Sequence, residues 1–388
     1  MTPAARISAA IEILDRILAG SAAEQALTGW ARASRFAGSG DRAAVRDHVF
    51  DALRCLRSYT ALAGAESPSG RALMIGAGLA AHFTGIAHAP APLSEAEQAA
   101  LGRALPLDQM PEAVQADCPD WLVGPLRDRL GAAFLPAMQA QRQRAPVWLR
   151  VNLARISRTD AQAQLAAEGV ETESSDLASS ALRVLGKSNK INQLTLYLEG
   201  LAELQDISSQ AAVETLALRD GMKILDYCAG GGGKLLAMAA RVRAEFFAHD
   251  AAPERMRDLP VRAARAGVHA TLVQTDALTG RHFDLVLVDA PCSGSGTWRR
   301  TPDAKWRLTQ DRLIELCALQ ARVLDQAALL VRPGGTLAYM TCSLLGGENA
   351  DQVTAFCGRR PDFARKAERS FLPSDGGDGF FVAHLHRA

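Results

Sequence analysis

Two cysteines stand in company that suits chemistry better than packing. Cys292 lies in Asp289-Ala290-Pro291-Cys292-Ser293-Gly294-Ser295-Gly296-Thr297, and Cys342 in Thr341-Cys342-Ser343. Each follows an apolar run that reads as a strand, Phe283–Val288 and Thr336–Met340, so both thiols are expected at the carboxyl ends of neighbouring strands, where open α/β sheets bind ligands. An isolated cysteine is ordinarily a small buried hydrophobe, and Cys55, Cys118, Cys317 and Cys357 are read that way. Cys292 is instead ringed by Pro, Ser and Gly, which are loop residues. Beside a methyl donor, a thiolate can add to C6 of a pyrimidine and make C5 enamine-like, able to attack an activated methyl group. A base then removes the C5 proton and the thiolate leaves. An acid near ring N3, such as Asp289, would absorb the developing negative charge. The residues alone do not choose which of the two cysteines attacks.

The donor side is written in a second set of residues. A strand at Lys223–Tyr227 runs into Asp226-Tyr227-Cys228-Ala229-Gly230-Gly231-Gly232-Gly233-Lys234. Asp226, Cys228, Gly230 and Gly232 have the spacing of a strand-to-helix turn in which the backbone lies against a ligand and a Cβ would collide. A phosphate-binding P-loop would need Gly at 228 and Ser or Thr at 235, where Cys228 and Leu235 stand. Asp250 ends the next strand, 24 residues past Asp226, where a carboxylate can accept both ribose hydroxyls. Asp276 ends the third strand, in reach of an adenine edge. Acidic residues at successive strand ends beside a glycine turn point to adenosine without a phosphate cradle, hence to S-adenosylmethionine rather than NAD or ATP.

The elements that must position these groups follow from the rest of the chain. Its 388 residues suggest two or three domains. Hydrophobic residues at 48% and charged residues at 22% exclude a disordered or collagen-like chain. The net charge is only +1, so nucleic-acid binding must rest on local clustering. Seven scattered cysteines with no C-x-x-C argue against a disulfide framework or a structural zinc site, and no metal is expected. Met1–Ile17 lacks the apolar core of a signal peptide, and no apolar run is long enough to span a bilayer, so a cytoplasmic protein without membrane contact is expected.

Residues 1–141 read as wholly helical. Ile7, Ile11, Leu14 and Leu18 form one helical stripe that Gly20 stops. Asp41 reads as the cap of a helix from Arg42 to Leu56, and Ser94 with Glu97 as a capping box. Residues 142–215 read as a small α+β domain, with a strand at Val147–Leu153 and a helix capped by Thr159. Arg142, Arg144, Arg150, Arg155 and Arg158 fall within seventeen residues free of Asp and Glu, a local bias suited to RNA contact. Trp148 reads as core or as a base-stacking platform. Residues 216–388 alternate strand and helix as a doubly wound parallel sheet does. Strands are placed at Glu245–His249, Ala270–Gln274 and Phe380–Leu385 besides those named. Helices are placed at Gly233–Arg243, Pro253–Ala266, Thr309–Val331 and Gly347–Cys357.

From about Pro119 to the C-terminus the chain resembles the RNA:cytosine-5 methyltransferases. The resemblance is carried by Asp226 to Lys234, His249-Asp250 with Arg255, Thr275-Asp276-Ala277, Asp289 to Gly296 and Thr341-Cys342-Ser343, in order and spacing. Arg150-Val151-Asn152, Gln205 to Gln210, Arg300 to Asp303, Pro333 to Gly335, Glu348-Asn349 and Asp378 to Phe381 add to it. The N-terminal helices are similar to the NusB-like RNA-binding domain of the bacterial small-subunit ribosomal RNA members. The resemblance implies a Rossmann-like S-adenosylmethionine-dependent domain, preceded by an RNA-recognition-like α+β domain and an all-α NusB-like domain. It implies Cys342 as the attacking thiol, Cys292 as the proton acceptor that assists release, and Asp289 as a contact to both cytosine and cofactor. It implies cofactor contacts at Cys228, Ala229, Gly230, Gly231, Gly232, Gly233, Lys234, Asp250, Arg255 and Asp276; RNA contacts are expected at Arg142, Arg144 and Arg150 of the basic run and at Asn152 and Arg300 of the matching motifs. The family loop reads C-A-A-P-G-G-K-T where this chain has C-A-G-G-G-G-K-L, and Gly231 in place of proline is expected to loosen it.

The expected reaction is methylation of C5 of a cytosine in RNA, preferentially 16S ribosomal RNA, by a monomeric enzyme. Transfer RNA is the second substrate weighed. A non-catalytic RNA-binding factor would show an eroded adenosine pocket, which Asp250, Asp276, Cys292 and Cys342 argue against. A DNA cytosine methyltransferase would carry its glycine loop near the N-terminus and a large recognition domain after it.

Overall fold

Thr2 opens the first helix, Pro3–Leu18, by accepting a hydrogen bond from Ala5 N–H at 3.1 Å. Ile7 and Leu14 are buried along its inner stripe, and Gly20 ends it in a left-handed conformation (φ 109°). The structure, a computed structural model, describes residues 1–186 and 191–388. It divides the chain into two units. One comprises Met1–Arg144 with Trp298–Leu308, the other Ala145–Thr297 with Thr309–Ala388.

The first unit is helical throughout. The helix expected from Arg42 begins earlier, at Ser39, and runs to Arg54. Asp41 therefore does not cap it from outside. It sits in the first turn, where its carboxylate takes the Gly38 N–H at 3.2 Å, the Met1 ammonium at 3.1 Å and Arg6 Nε at 2.9 Å. The Ser94–Glu97 capping box opens Glu95–Arg103 as expected. The helix Ala23–Ala33 and the short helix Pro302–Arg307 were not legible from periodicity. The latter belongs to this unit, where Arg54 Nε donates to Arg299 O at 2.7 Å and Trp306 Nε1 to Leu53 O at 2.7 Å.

The second unit carries two sheets. The smaller contains β1 (Trp148–Val151), β2 (Thr172–Ser174), β3 (Ala181–Val184) and β4 (Ala202–Leu204) in the antiparallel order β2-β3-β1-β4. The helix Arg158–Ala167 crosses from β1 to β2. Its cap is Ser157, which accepts from Asp160 N–H at 3.1 Å; Thr159, the expected cap, lies inside the first turn.

The larger sheet contains β5 (Lys223–Asp226), β6 (Glu245–Ala248), β7 (Ala270–Leu272), β8 (Phe283–Asp289), β9 (Val331–Thr341), β10 (Phe363–Phe371) and β11 (Phe380–Arg387). Their order is β10-β11-β9-β8-β5-β6-β7. β5 to β9 are parallel, whereas β11 and β10 run antiparallel, so the expected all-parallel sheet is a mixed one. The expected helix Pro253–Ala266 is split into a 3-10 turn, Pro253–Met256, and a helix, Leu259–Ala266. Pro260, which has no N–H to give a preceding turn, explains the restart.

Alternation along the strands sorts side chains onto two faces. Ile224, Leu285, Leu287, Ala338 and Met340 pack into one core with Leu235, Leu236 and Leu259. Leu225, Val286, Val288, Leu337 and Tyr339 pack into the other with Leu324 and Phe356. Among the described residues no helix is long and apolar enough to cross a membrane.

Candidate active site

Chain order reverses between β5 and β8, and such a switch point leaves a crevice outside the carboxyl ends of the strands. Strand alternation then decides what faces it. Asp226 continues the Ile224 face, Asp289 the Leu285–Leu287 face and Cys342 the Ala338–Met340 face, so all three project to one side of the sheet. Lys234, in the first turn of the helix Gly233–Ala239, pairs with Asp289 Oδ2 and lies with Nζ 5.1 Å from the Phe380 ring centre. Burial alone would lower the Lys234 pKa, but Asp289, Asp226 and Cys342 together raise it. Asp226 is 1% exposed and neither carboxyl oxygen makes a well-formed hydrogen bond, although the Leu235 N–H lies close enough to support the charge. Burial pushes its pKa up to about 7, with Lys234 opposing and Asp289 adding to the rise.

The glycine loop is shaped as the sequence requires. Gly230 and Gly232 have φ of 48° and 77°, and a Cβ on Gly232 would come within 2.1 Å of Leu259 Cδ1. The Gly231 carbonyl accepts from Arg262, which also pairs with Glu203 at 2.9 Å. This brace holds the loop at the position expected to be loosened by the missing proline. The half-buried Cys228 thiol is pushed up by burial and by the nearby Asp226 and Asp289. Asp250 is buried; Oδ2 accepts Gly230 N–H and Oδ1 accepts Ala252 N–H, both at 3.0 Å. Each oxygen retains a further lone pair. Arg255 Nη1 lies 3.5 Å from Asp250 Oδ2, and Asp276 is exposed on the turn Thr275–Leu278.

His249 enters this set as a positioning residue that the sequence reading quoted only beside Asp250. Its ring is buried, stacks on Tyr227 with centres 4.5 Å apart, and bonds Tyr227 O at 2.7 Å and Thr275 Oγ1 at 3.0 Å. It thereby ties together the ends of β5, β6 and β7. An orphaned carboxyl at Asp226, a loop a Cβ would fill, and acidic acceptors after successive strands fit an adenosyl group carrying a cationic end.

The two thiols meet. Cys292 Sγ and Cys342 Sγ are 3.4 Å apart. The Cys292 loop is fastened to the Cys342 segment by Gly296 N–H to Cys342 O at 2.9 Å. The hydrogen bond with Cys342, followed by burial, drives the Cys292 thiol well above its ordinary range. Glu348, a buried carboxyl beside this pair, escaped the sequence reading except as half of the Glu348-Asn349 match.

The basic run does not form the expected RNA surface. Arg150 is buried and its Nη1 donates to Gln205 Oε1 and Gly233 O, each at 2.6 Å. Asn152 is buried and its Nδ2 donates to Gly200 O and Ala266 O at 3.2 Å. Arg142 pairs with the buried Asp117 at 2.8 Å. Arg155 and Arg158 bond backbone carbonyls of Glu199, Arg265 and Ser175. Arg142, Arg150 and Asn152 satisfy acceptors inside the protein, which a sequence without nearby acids does not reveal, while Arg155 is exposed. Arg144, half-exposed and 3.5 Å from Asp47, and the exposed Arg300 remain at the surface. Trp148 is core, with Nε1 donating to Gly376 O at 3.1 Å.

Comparison with known proteins agrees with this architecture. The family model described as 16S rRNA methyltransferase RsmB/F matches residues 213–386, and the ferredoxin-like domain of RsmF/B-like methyltransferases matches residues 118–190. Ribosomal RNA small subunit methyltransferase B of Serratia proteamaculans is 35% identical over 283 residues, which are 69% of this chain and 66% of that protein. The match therefore spans just under two thirds of the relative. The fold is shared with PH0851 (TM-score 0.75, 21% identity, 100% of this chain and 99% of that one). It is also shared with a methyltransferase homologue from Pyrococcus horikoshii (TM-score 0.62, 23% identity, 73% of this chain and 100% of that one). The chain belongs to the RsmB/F family of methyltransferases.

Proposed function

We propose that this protein methylates C5 of a cytosine in small-subunit ribosomal RNA, in the cytoplasm, through a covalent adduct between Cys342 and C6 of the base. The observation that carries the reading is the pair of thiols in contact at 3.4 Å, after β8 and β9, on the side of the sheet that bears Asp289 and Lys234. Cys228 to Lys234, Asp250, Arg255 and Asp276 would hold S-adenosylmethionine, which supplies an electrophilic methyl group to C5.

The chain's own groups divide the remaining work. Cys342, on the side of the sheet that bears Asp289 and its bonded Lys234, adds to C6. Asp289 with its bonded Lys234 sets an acidic group and a positive charge where N3 gains electron density. Cys292, once it has released its own proton to water, takes the C5 proton, and Cys342 departs as the ring double bond re-forms. A thiol held above its ordinary range is the stronger base once deprotonated. The half-exposed Arg144 and exposed Arg300 are the surface residues offered to RNA phosphates.

The test is a pair of variants. Cys342→Ala abolishes methyl transfer to RNA, and Cys292→Ala accumulates a protein–RNA adduct that survives denaturant. Normal methylation by both would end the proposal. Bisulfite sequencing of RNA from cells with and without the protein locates the target and separates ribosomal from transfer RNA.

A further inference from the structure

Glu348 is fully buried in the turn Gly346–Glu348, and no step outlined above uses it. Its carboxylate takes four hydrogen bonds. Oε1 accepts from Ser293 N–H at 2.8 Å and Gln320 Nε2 at 3.0 Å, and Oε2 from Ser293 Oγ and Ser343 Oγ, each at 2.5 Å. Ser293 directly follows Cys292 and Ser343 directly follows Cys342. One carboxylate therefore grips the residue after each thiol.

The grip is reinforced from several elements. Gln320, on the helix Gln310–Ala328, also donates to Pro291 O at 2.9 Å, just ahead of Cys292. Tyr339 on β9 donates its hydroxyl to the Glu348 carbonyl at 2.7 Å. Ser295 Oγ and Ser343 Oγ bond each other at 2.9 Å. Asn349 holds the other side of Cys342 by accepting from Thr341 Oγ1 and donating to Ser343 O. A buried carboxylate is unfavourable unless its hydrogen bonds are complete, and an apolar side chain would fill the same space without that requirement. Here three of the four donors come from the two residues that carry the thiol loops.

We propose that Glu348 is a positioning residue that clamps the Cys292 and Cys342 loops together and so sets the contact between the two thiols. Its effect on methylation rests on the function proposed above; its effect on thiol spacing does not.

Phenylarsine oxide separates the two. This trivalent arsenical bonds both sulfurs of an adjacent thiol pair, each thiol giving up its proton and the arsenic releasing water. Full-length wild-type protein is expected to bind it one to one across Cys292 and Cys342, with Cys292→Ser as the control that abolishes bridging. Glu348→Gln keeps the shape but halves the acceptor oxygens. It is expected to weaken arsenical affinity at least tenfold and lower kcat at least tenfold. KM for S-adenosylmethionine should stay within twofold and Tm within a few degrees. Ser343→Ala, which removes one bond of the four, is expected to shift both readouts in the same direction by a smaller factor. Arsenical affinity within twofold of wild type in both variants overturns the clamp, and so does a kcat loss matched by an equal loss of cofactor affinity. Wild-type protein that bridges arsenic yet methylates no RNA, while Glu348→Gln loses bridging, upholds the clamp and removes the methyltransferase reading.

Discussion

Replacing Asp226 with Asn should free the fold from a charge it holds badly. The side chain is 1% exposed, makes no well-formed hydrogen bond, and is pushed by burial to about 7 rather than 3.8 in spite of Lys234 and the Leu235 N–H. A carboxyl whose pKa is raised on folding binds its proton more tightly in the native state. Its contribution is therefore complete below the unfolded value and is lost as pH rises through about 7. A shift of roughly three units corresponds to about 4 kcal/mol at high pH. Some 1.5 kcal/mol of this is already lost at pH 5, leaving roughly 2–3 kcal/mol to disappear between pH 5 and 8. The facing groups are Lys234 on the following helix, Asp289 after β8 and Asp250 after β6, and all three are retained in the variant. Lys234, raised by its acidic neighbours, keeps its charge across this window. Urea unfolding of both proteins at half-unit steps from pH 5 to 8 measures the effect. The Asn variant is expected to gain roughly 2–3 kcal/mol on wild type over that range, with the steepest change at about pH 5–6 and a slope that halves by about pH 7. Parallel curves, or a variant that loses ground as pH rises, would refute the assignment of Asp226 as a strained buried acid.

Two further substitutions probe the framework around the site. Arg150→Ala removes two charged hydrogen bonds from a buried guanidinium and should lower unfolding free energy by about 3 kcal/mol or more. In a filter-binding titration its RNA affinity should match wild type, because the side chain is not at the surface. Gly232→Ala forces a Cβ to within 2.1 Å of Leu259 at a positive φ and should cost roughly 1–3 kcal/mol while weakening calorimetric binding of S-adenosylhomocysteine. Gly231→Ala, whose Cβ meets only the tip of Arg262, should do less on both counts.

What the sequence disclosed follows from which residues obey a local rule. The glycine turn and the strands bearing Asp226, Asp289 and Cys342 were legible because a short apolar run, buried on both faces, and the loop residues that end it are both short-range signals. β10 was missed because Phe363–Phe371 has buried ends and an exposed middle. It is an edge strand whose charged side chains hide the alternation and guard its free rim. Arg150 and Asn152 were misplaced for a different reason. Their acceptors are carbonyls and a glutamine far along the chain, and a run of arginines looks the same whether its partners are phosphates or the protein's own backbone. Glu348 was unreadable on the same ground, since only the fold brings Ser293 within its reach.

The choice between the two cysteines shows how such tertiary contacts carry chemical information. In sequence Cys292 and Cys342 are equivalent, each a thiol after a strand. In three dimensions Cys342 continues the side of the sheet to which Asp289, paired with Lys234, projects. Cys292 sits in a loop anchored by Glu348, whose negative charge adds to the Cys342 hydrogen bond and burial in holding its proton. A proton acceptor needs a basic sulfur, and the raised Cys292 thiol meets that demand. Exchanging the roles would ask the nucleophile to be the sulfur whose proton is held well above the ordinary range. The Cys292→Ala adduct is therefore the decisive outcome: an adduct that accumulated in Cys342→Ala instead would mean that the tightly held Cys292 proton does not govern which sulfur attacks.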